Sequence, residues 1–273
     1  MALAAAMLVA LAAFAGAARA ANYVALGDSY AAGPIIPNQI APLGCLKSDH
    51  NYAHLAAPTI GLPLRDASCS GATTADMTSP QETELGAVPP QFDSLDPETT
   101  RVSLTIGGND IGFSEIALSC VTLNPFSTPC KDKYDSGGKD QIAERIAATA
   151  PKVAAVLQGI HARSPQAKVF VVNYAAIFPE TGFGCWPQMP MGFGDVPYLR
   201  SKEQELNAML ATQAAANGAT LVNWYKASIG HDACKGFSTR WVEPVVPTNP
   251  AAPVHPNLAG MTGAAAILGP LAK

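Results

Sequence analysis

Apolar positions along the chain fall into two kinds of pattern. Short β-prone runs occur at 23–26, near 64–67, at 102–106, at 168–172 and at 220–223. Gly27 closes the first of these, and Gly107-Gly108 closes the third. Between them lie stretches with apolar residues at helical spacing. These predict helices over 51–60, 140–163, 199–217 and 257–268. In the 140–163 segment the apolar stripe is Ile142, Ile146, Val153, Val156, Leu157 and Ile160, and Pro151 is expected to kink or divide it. Asn217-Gly218 supplies a stop for the third helix. Short strands alternating with helices imply a parallel sheet covered on both faces. Ligands of such sheets bind beyond the carboxyl ends of the strands. Two of those ends carry polar residues after glycine: Gly27-Asp28-Ser29 and Gly107-Gly108-Asn109-Asp110.

No linker or repeat divides the rest of the chain, so one domain over 21–273 is expected. Two long loops stand out, 80–100 and 173–197. Residues 1–20 are rich in Ala and Leu, carry no charge before Arg19, and end in Ala18-Arg19-Ala20. That small-x-small ending is expected of a secretory signal, although no basic residue opens the segment. Its apolar part is short for a span of about 20 residues, so no stable membrane span is expected.

Composition narrows the classes further. Hydrophobic residues make up 48% of the chain and charged residues 14%, which fits a packed core rather than disorder. The formal net charge is -4 and no Lys/Arg cluster occurs, which excludes nucleic acid as a partner. The cysteines are Cys45, Cys69, Cys120, Cys130, Cys185 and Cys234. An even number behind an export signal implies disulfides, and Cys45-Cys69, Cys120-Cys130 and Cys185-Cys234 is the simplest pairing, although sequence alone does not choose it. No CxxC is present, which disfavours zinc ribbons and thiol redox chemistry.

Ser29 follows a strand and a glycine and precedes a short helical start. Its hydroxyl can project at the sheet edge, and its N–H at a helix N-terminus can stabilise a developing oxyanion. A serine needs a base to become a nucleophile. Alone, Ser29 reads first as a helix cap. His255 is the base candidate, because Pro256 favours an extended backbone ahead of it and suits a first helical turn. Gly71, in a small-residue turn, and the side-chain amide of Asn109 can donate to the same oxyanion.

Four segments carry these residues: Ala25-Leu26-Gly27-Asp28-Ser29-Tyr30, Cys69-Ser70-Gly71-Ala72-Thr73, Thr105-Ile106-Gly107-Gly108-Asn109-Asp110 and His255-Pro256-Asn257. In this order they resemble the GDSL, or SGNH, hydrolase family, and most of all its secreted actinobacterial esterases and lipases. The resemblance implies a flavodoxin-like three-layer α/β/α sandwich. It implies Ser29 as nucleophile, His255 as base, and Ser29, Gly71 and Asn109 as oxyanion donors, with no metal or organic cofactor. The family often has an acid three residues before its histidine, where this chain has Ala252. Two replacements are open: the Ala252 carbonyl could orient the imidazole, or Asp232 could fold in.

The implied activity is hydrolysis of lipid or short- to medium-chain acyl esters by a secreted monomer, extracellular or held at the cell wall. Deacetylation of extracellular polysaccharide is the alternative reaction. A non-catalytic lipid- or glycan-binding protein is the alternative class. Asp28 is expected to accept backbone N–H bonds rather than to act as an acid. His50 and His54 share a metal-like spacing but lack a visible third ligand, and His161 and His231 have no distinctive neighbours apart from Asp232. The 173–197 loop holds Phe178, Phe183, Trp186, Met189, Met191 and Phe193. It either walls an apolar acyl pocket or packs its own aromatics.

Overall fold

A computed structural model describes residues 21–273. The signal-like segment 1–20 lies outside the described residues. Five parallel strands form the central sheet: β1 (Asn22–Gly27), β2 (Leu64–Asp66), β3 (Thr99–Thr105), β4 (Lys168–Val172) and β5 (Thr220–Val222). Their order is β2-β1-β3-β4-β5, the flavodoxin-like arrangement. Every residue of β1 is buried, as a strand covered on both faces requires.

The helices are α1 (Ser29–Ala32), α2 (Tyr52–Ile60), α3 (Phe113–Ser119), α4 (Pro129–Tyr134), α5 (Gln141–Arg163), α6 (Asp195–Ala216), α7 (Trp224–Ala227) and α8 (Leu258–Ala272). The pair α2 and α8 covers one face of the sheet, and α5 with α6 covers the other, giving three layers.

Three helices differ from the sequence reading, and one of them, α8, runs on to Ala272, past the predicted end at 268. Helix α5 is not divided at Pro151. Pro151 and Ala147, whose carbonyl loses its usual donor, both lie on the solvent side, so water can satisfy that carbonyl. Helix α6 begins at Asp195 rather than near 199. Pro197 sits in its first turn, where a missing N–H costs nothing within the helix.

The strand order reverses between β1 and β3, and such a switch point opens a crevice at the carboxyl ends of the strands. Here those ends are flush: Gly27 pairs with Thr105, and the N–H of Asp28 donates to the Thr105 carbonyl at 2.9 Å. Gly27 has φ 142°, and a Cβ on it would stand 2.4 Å from the Thr105 oxygen. Only glycine permits this approach. The side chain of Gln91 fixes the same peptide from the other side. Its amide donates to the Gly27 carbonyl at 2.9 Å, and its oxygen accepts from the Gly27 N–H at 2.7 Å.

Candidate active site

Asp28 caps α1, accepting from the Tyr30 N–H at 2.9 Å. Ser29 is thereby the first helical residue, and its N–H points out of the helix start. Neither the Ser29 N–H nor that of Gly71 has a hydrogen-bond partner among the described residues. Gly71 adopts φ 84° in an exposed turn. That turn is held close to β1 and β3: the Cys69 N–H donates to the Gly27 carbonyl at 3.0 Å, the Cys45–Cys69 disulfide anchors it, and Asn109 Nδ2 donates to the Ala72 carbonyl at 2.8 Å. The remaining amide hydrogen of Asn109 is free to donate elsewhere. Asp110 completes the stitching by accepting from the N–H and hydroxyl of Thr74 at 3.0 and 2.6 Å.

His255 comes from the far end of the chain, yet its Nε2 lies 2.8 Å from Ser29 Oγ. Its Nδ1 lies 2.8 Å from the carbonyl oxygen of Pro253. A carbonyl only accepts, so Nδ1 carries the proton of the neutral ring and Nε2 is the acceptor for the serine hydroxyl. Burial pulls the imidazole below its ordinary value of 6.5, with the Pro253 carbonyl opposing.

The group facing the ring is therefore neither replacement read from the sequence. The Ala252 carbonyl instead accepts the backbone N–H of His255 at 3.2 Å. Asp232 accepts from the Cys234 N–H at 3.0 Å and faces Lys235, so its carboxylate is committed within its own turn. Residue 253 presents its carbonyl because Val254 adopts φ 61°, a left-handed conformation that a β-branched residue rarely takes. Three contacts hold Val254 there. Its carbonyl accepts from the Tyr30 hydroxyl at 2.8 Å; its N–H donates to the Pro244 carbonyl at 3.4 Å; and its side chain is buried.

Just beyond, Asn257 caps α8 and donates to the buried Glu243 carboxylate at 2.7 Å. Glu243 also accepts from the N–H groups of Thr248 and Asn249, and its own N–H donates to the His255 carbonyl at 2.9 Å.

Asp28 binds the two strand ends together. Its second oxygen accepts from the Tyr174 hydroxyl at 2.5 Å, and that hydroxyl accepts from the Gly108 N–H at 2.7 Å. Burial pushes the Asp28 carboxyl up to about 7, with the bonds from Tyr174 and Tyr30 opposing. A Cβ on Gly108 would meet the Tyr174 oxygen at 2.9 Å, which explains the second glycine of the pair. Sequence reading missed Tyr174, Gln91 and Glu243. Tyr174 and Glu243 are polar groups in otherwise apolar segments, and Gln91 lies in the polar 80–100 loop with nothing local to mark it.

An apolar pocket opens beside Ser29 and Asn109, with Ile111, Ile116, Phe178, Met191 and Leu206 among its walls. The 173–197 loop divides between the two roles considered for it. Phe178 and Met191 line the pocket, whereas Phe183 is exposed and packs near Phe193. One buried acid, Glu203, also faces the pocket. It accepts from the Ile177 N–H at 2.7 Å, and burial pushes it up to about 8.

The remaining histidines are occupied separately. His50 pairs with Asp49, His54 with Asn51 and Asp66, His161 with the Asn217 carbonyl, and His231 stacks on Trp241. Among the described residues, no three His, Cys, Asp or Glu side chains are grouped to hold a metal. The disulfides join Cys45 to Cys69, Cys120 to Cys130 and Cys185 to Cys234, the neighbour pairing.

A doubly wound sheet with a serine, an imidazole and amide donors at its switch point defines an α/β ester hydrolase. The chain belongs to the GDSL-like lipase/acylhydrolase family, whose sequence profile matches residues 25–262. Lipase 2 of Streptomyces coelicolor is 42% identical over 246 residues, covering 88% of this chain and 81% of that protein. Among solved structures, phospholipase A1 from Streptomyces albidoflavus NA297 is similar with a TM-score of 0.75 and 26% identity, covering 93% of this chain and 98% of that one. The extracellular lipase from Streptomyces rimosus is similar with a TM-score of 0.71 and 25% identity, covering 92% and 99%.

Proposed function

We propose that this ester hydrolase is a secreted enzyme that cleaves lipid and short- to medium-chain acyl esters through an acyl-enzyme on Ser29. The observation that carries the reading is the 2.8 Å approach of His255 Nε2 to Ser29 Oγ beside free N–H groups and an apolar pocket. His255 Nε2 takes the hydroxyl proton as Ser29 Oγ attacks the ester carbonyl. The oxyanion is received by the N–H groups of Ser29 and Gly71 and by the Asn109 amide. His255 then returns the proton to the departing alcohol. Water, deprotonated by the same imidazole, releases the acid and regenerates Ser29. The Pro253 carbonyl orients the ring and stabilises its cation less than a carboxylate would.

The pocket walls favour an acyl chain over a bare acetyl group, and likeness to a phospholipase A1 extends the substrates to glycerophospholipid esters. Secretion is supported by the small-x-small ending at Ala20 and by cysteines that are all paired. Ser29→Ala should lower turnover of a chromogenic ester by roughly ten-thousandfold or more while the protein stays folded. Retained turnover in that variant ends the proposal. A chain-length series set against acetylated glycans tests the substrate class.

A further inference from the structure

Two stretches of this chain are free of charge, 116–130 and 181–194, and the fold brings them together. The Thr122 N–H donates to the Pro190 carbonyl and the Phe193 N–H to the Pro125 carbonyl, each at 2.7 Å. Trp186 Nε1 donates to the Thr122 carbonyl at 3.3 Å, and Val121 pairs with Met191 as an antiparallel bridge. Phe126 and Phe183 both pack against Phe193. The Cys120–Cys130 and Cys185–Cys234 disulfides fasten the two loops. The two loops are thus bonded and cross-linked to their neighbours, yet the side chains on their outer side are apolar and uncovered. Leu123 is 91% exposed and Phe126 83%, and Leu118, Phe183 and Trp186 stand exposed around them. Scattered single apolar residues on a surface need no explanation, but a contiguous cluster marks an interaction site.

We propose that this ridge is the face by which the protein docks on an uncharged or zwitterionic lipid surface. The same two elements that carry it on their outer side line the acyl pocket on their inner side. Ile116 and Ala117 of α3 face the pocket while Leu118 faces out, and Met191 faces the pocket while its bridge partner Val121 is exposed. A lipid layer against the ridge stands beside the site that takes its acyl chain. Exposed aromatic and leucine side chains around an indole suit the boundary between headgroups and hydrocarbon. The lack of charge across both stretches removes any need for anionic lipid. At one edge of the ridge Glu115 pairs with Arg145 and Lys133. The choice of lipid rests on the proposed esterase reading; the docking itself does not.

The test uses the full-length mature Ser29→Ala protein, which leaves the lipid intact, and phosphatidylcholine vesicles. Co-sedimentation should show binding, with a blue shift of tryptophan emission as Trp186 leaves water. Adding Leu123→Ser and Phe126→Ser should weaken partitioning on the order of 100-fold, the loss of two buried apolar side chains. The same pair placed in the active protein should leave turnover of a soluble monomeric ester unchanged, which also reports correct folding. Phe183→Ser, on the other loop, is measured in parallel and decides the matter if the pair fails to fold. Absence of vesicle binding by Ser29→Ala, equal binding by the substituted forms, or a ridge-dependent dimer in solution overturns the proposal. Soluble-ester turnover tests the role of Ser29 separately, so either idea can fail while the other stands.

Discussion

Replacing Tyr174 by phenylalanine removes one oxygen and tests whether the two strand ends act as a unit. The hydroxyl donates to Asp28 Oδ2 and accepts from the Gly108 N–H. Tyr174, Asp28 and Gly108 are all buried at the wall of the apolar pocket. An orphaned buried N–H costs about 1–3 kcal/mol. Asp28 loses a charge-assisted bond of about 1.5–3 kcal/mol, but its carboxyl, already raised to about 7, evades part of that cost by holding its proton to higher pH. The ring itself stays, because its edge contact with Tyr30, centroids 5.1 Å apart, needs no hydroxyl. A net loss of about 2–4 kcal/mol follows, read by urea unfolding at neutral pH.

The catalytic effect has the same origin. Asp28 and Gly108 are the residues immediately before Ser29 and Asn109, so loosening both blurs the placement of the proposed nucleophile and of one proposed oxyanion donor. Outright loss of such a donor lowers kcat by about 100- to 1000-fold, and a misplaced one should cost about 10- to 100-fold, with KM little changed. The reasoning is refuted if kcat survives intact while stability drops. It is equally refuted if stability does not change, since the hydroxyl would then bridge nothing.

Three other outcomes follow from the same geometry. The acid limb of kcat/KM should have its midpoint below 6.5, because burial pulls the His255 imidazole down and the ring must be neutral to take the serine proton; a midpoint above 6.5 contradicts this. Glu203 is raised from 4.5 to about 8, so its folded form holds a proton that the unfolded chain releases. Its contribution to stability is full below about 4.5 and is lost as pH rises through about 8, so Glu203→Gln should flatten the decline seen by urea unfolding between those limits. Replacing Cys185 and Cys234 together by alanine opens a link across 49 residues and should cost about 2–4 kcal/mol in the same assay.

The parts of the molecule legible in the sequence are those governed by local rules. The period of the apolar residues marks β1, β4 and α2 to within a residue, because each is a regular element with one demanding environment. Gly27 and Gly107-Gly108 announce the strand ends, because no other residue fits there. Helices α3 and α4 escaped notice, since each is short and lies in a stretch whose apolar residues point partly outward, so no clear period emerges. Tyr174 could not be assigned a role, because its partners are distant in sequence and meet only when β1, β3 and β4 are aligned. Glu203 stands on the buried stripe of α6 between Leu199 and Leu206, a carboxyl where the spacing calls for an apolar residue, and the packing of α6 against the pocket buries it.

The group that faces His255 shows how a backbone can take over work often given to an acid. The missing carboxylate three residues upstream leaves the ring without a charged partner, and a carbonyl can orient it only if the chain turns that oxygen inward. Val254 supplies the turn at a cost in backbone energy of order 1–3 kcal/mol. That conformation persists because Tyr30 grips its carbonyl, Glu243 grips the His255 carbonyl, and Asn257 ties Glu243 to the start of α8. Tyr30 is the neighbour of Ser29, so the device that orients the imidazole is bonded directly to the helix that presents the hydroxyl. Strain in one residue is thus balanced by contacts that join the two ends of the chain. Burial holds the resting imidazole below its ordinary value, and a neutral carbonyl opposes this less than a carboxylate would, so the ring stays in the form that accepting a serine proton requires.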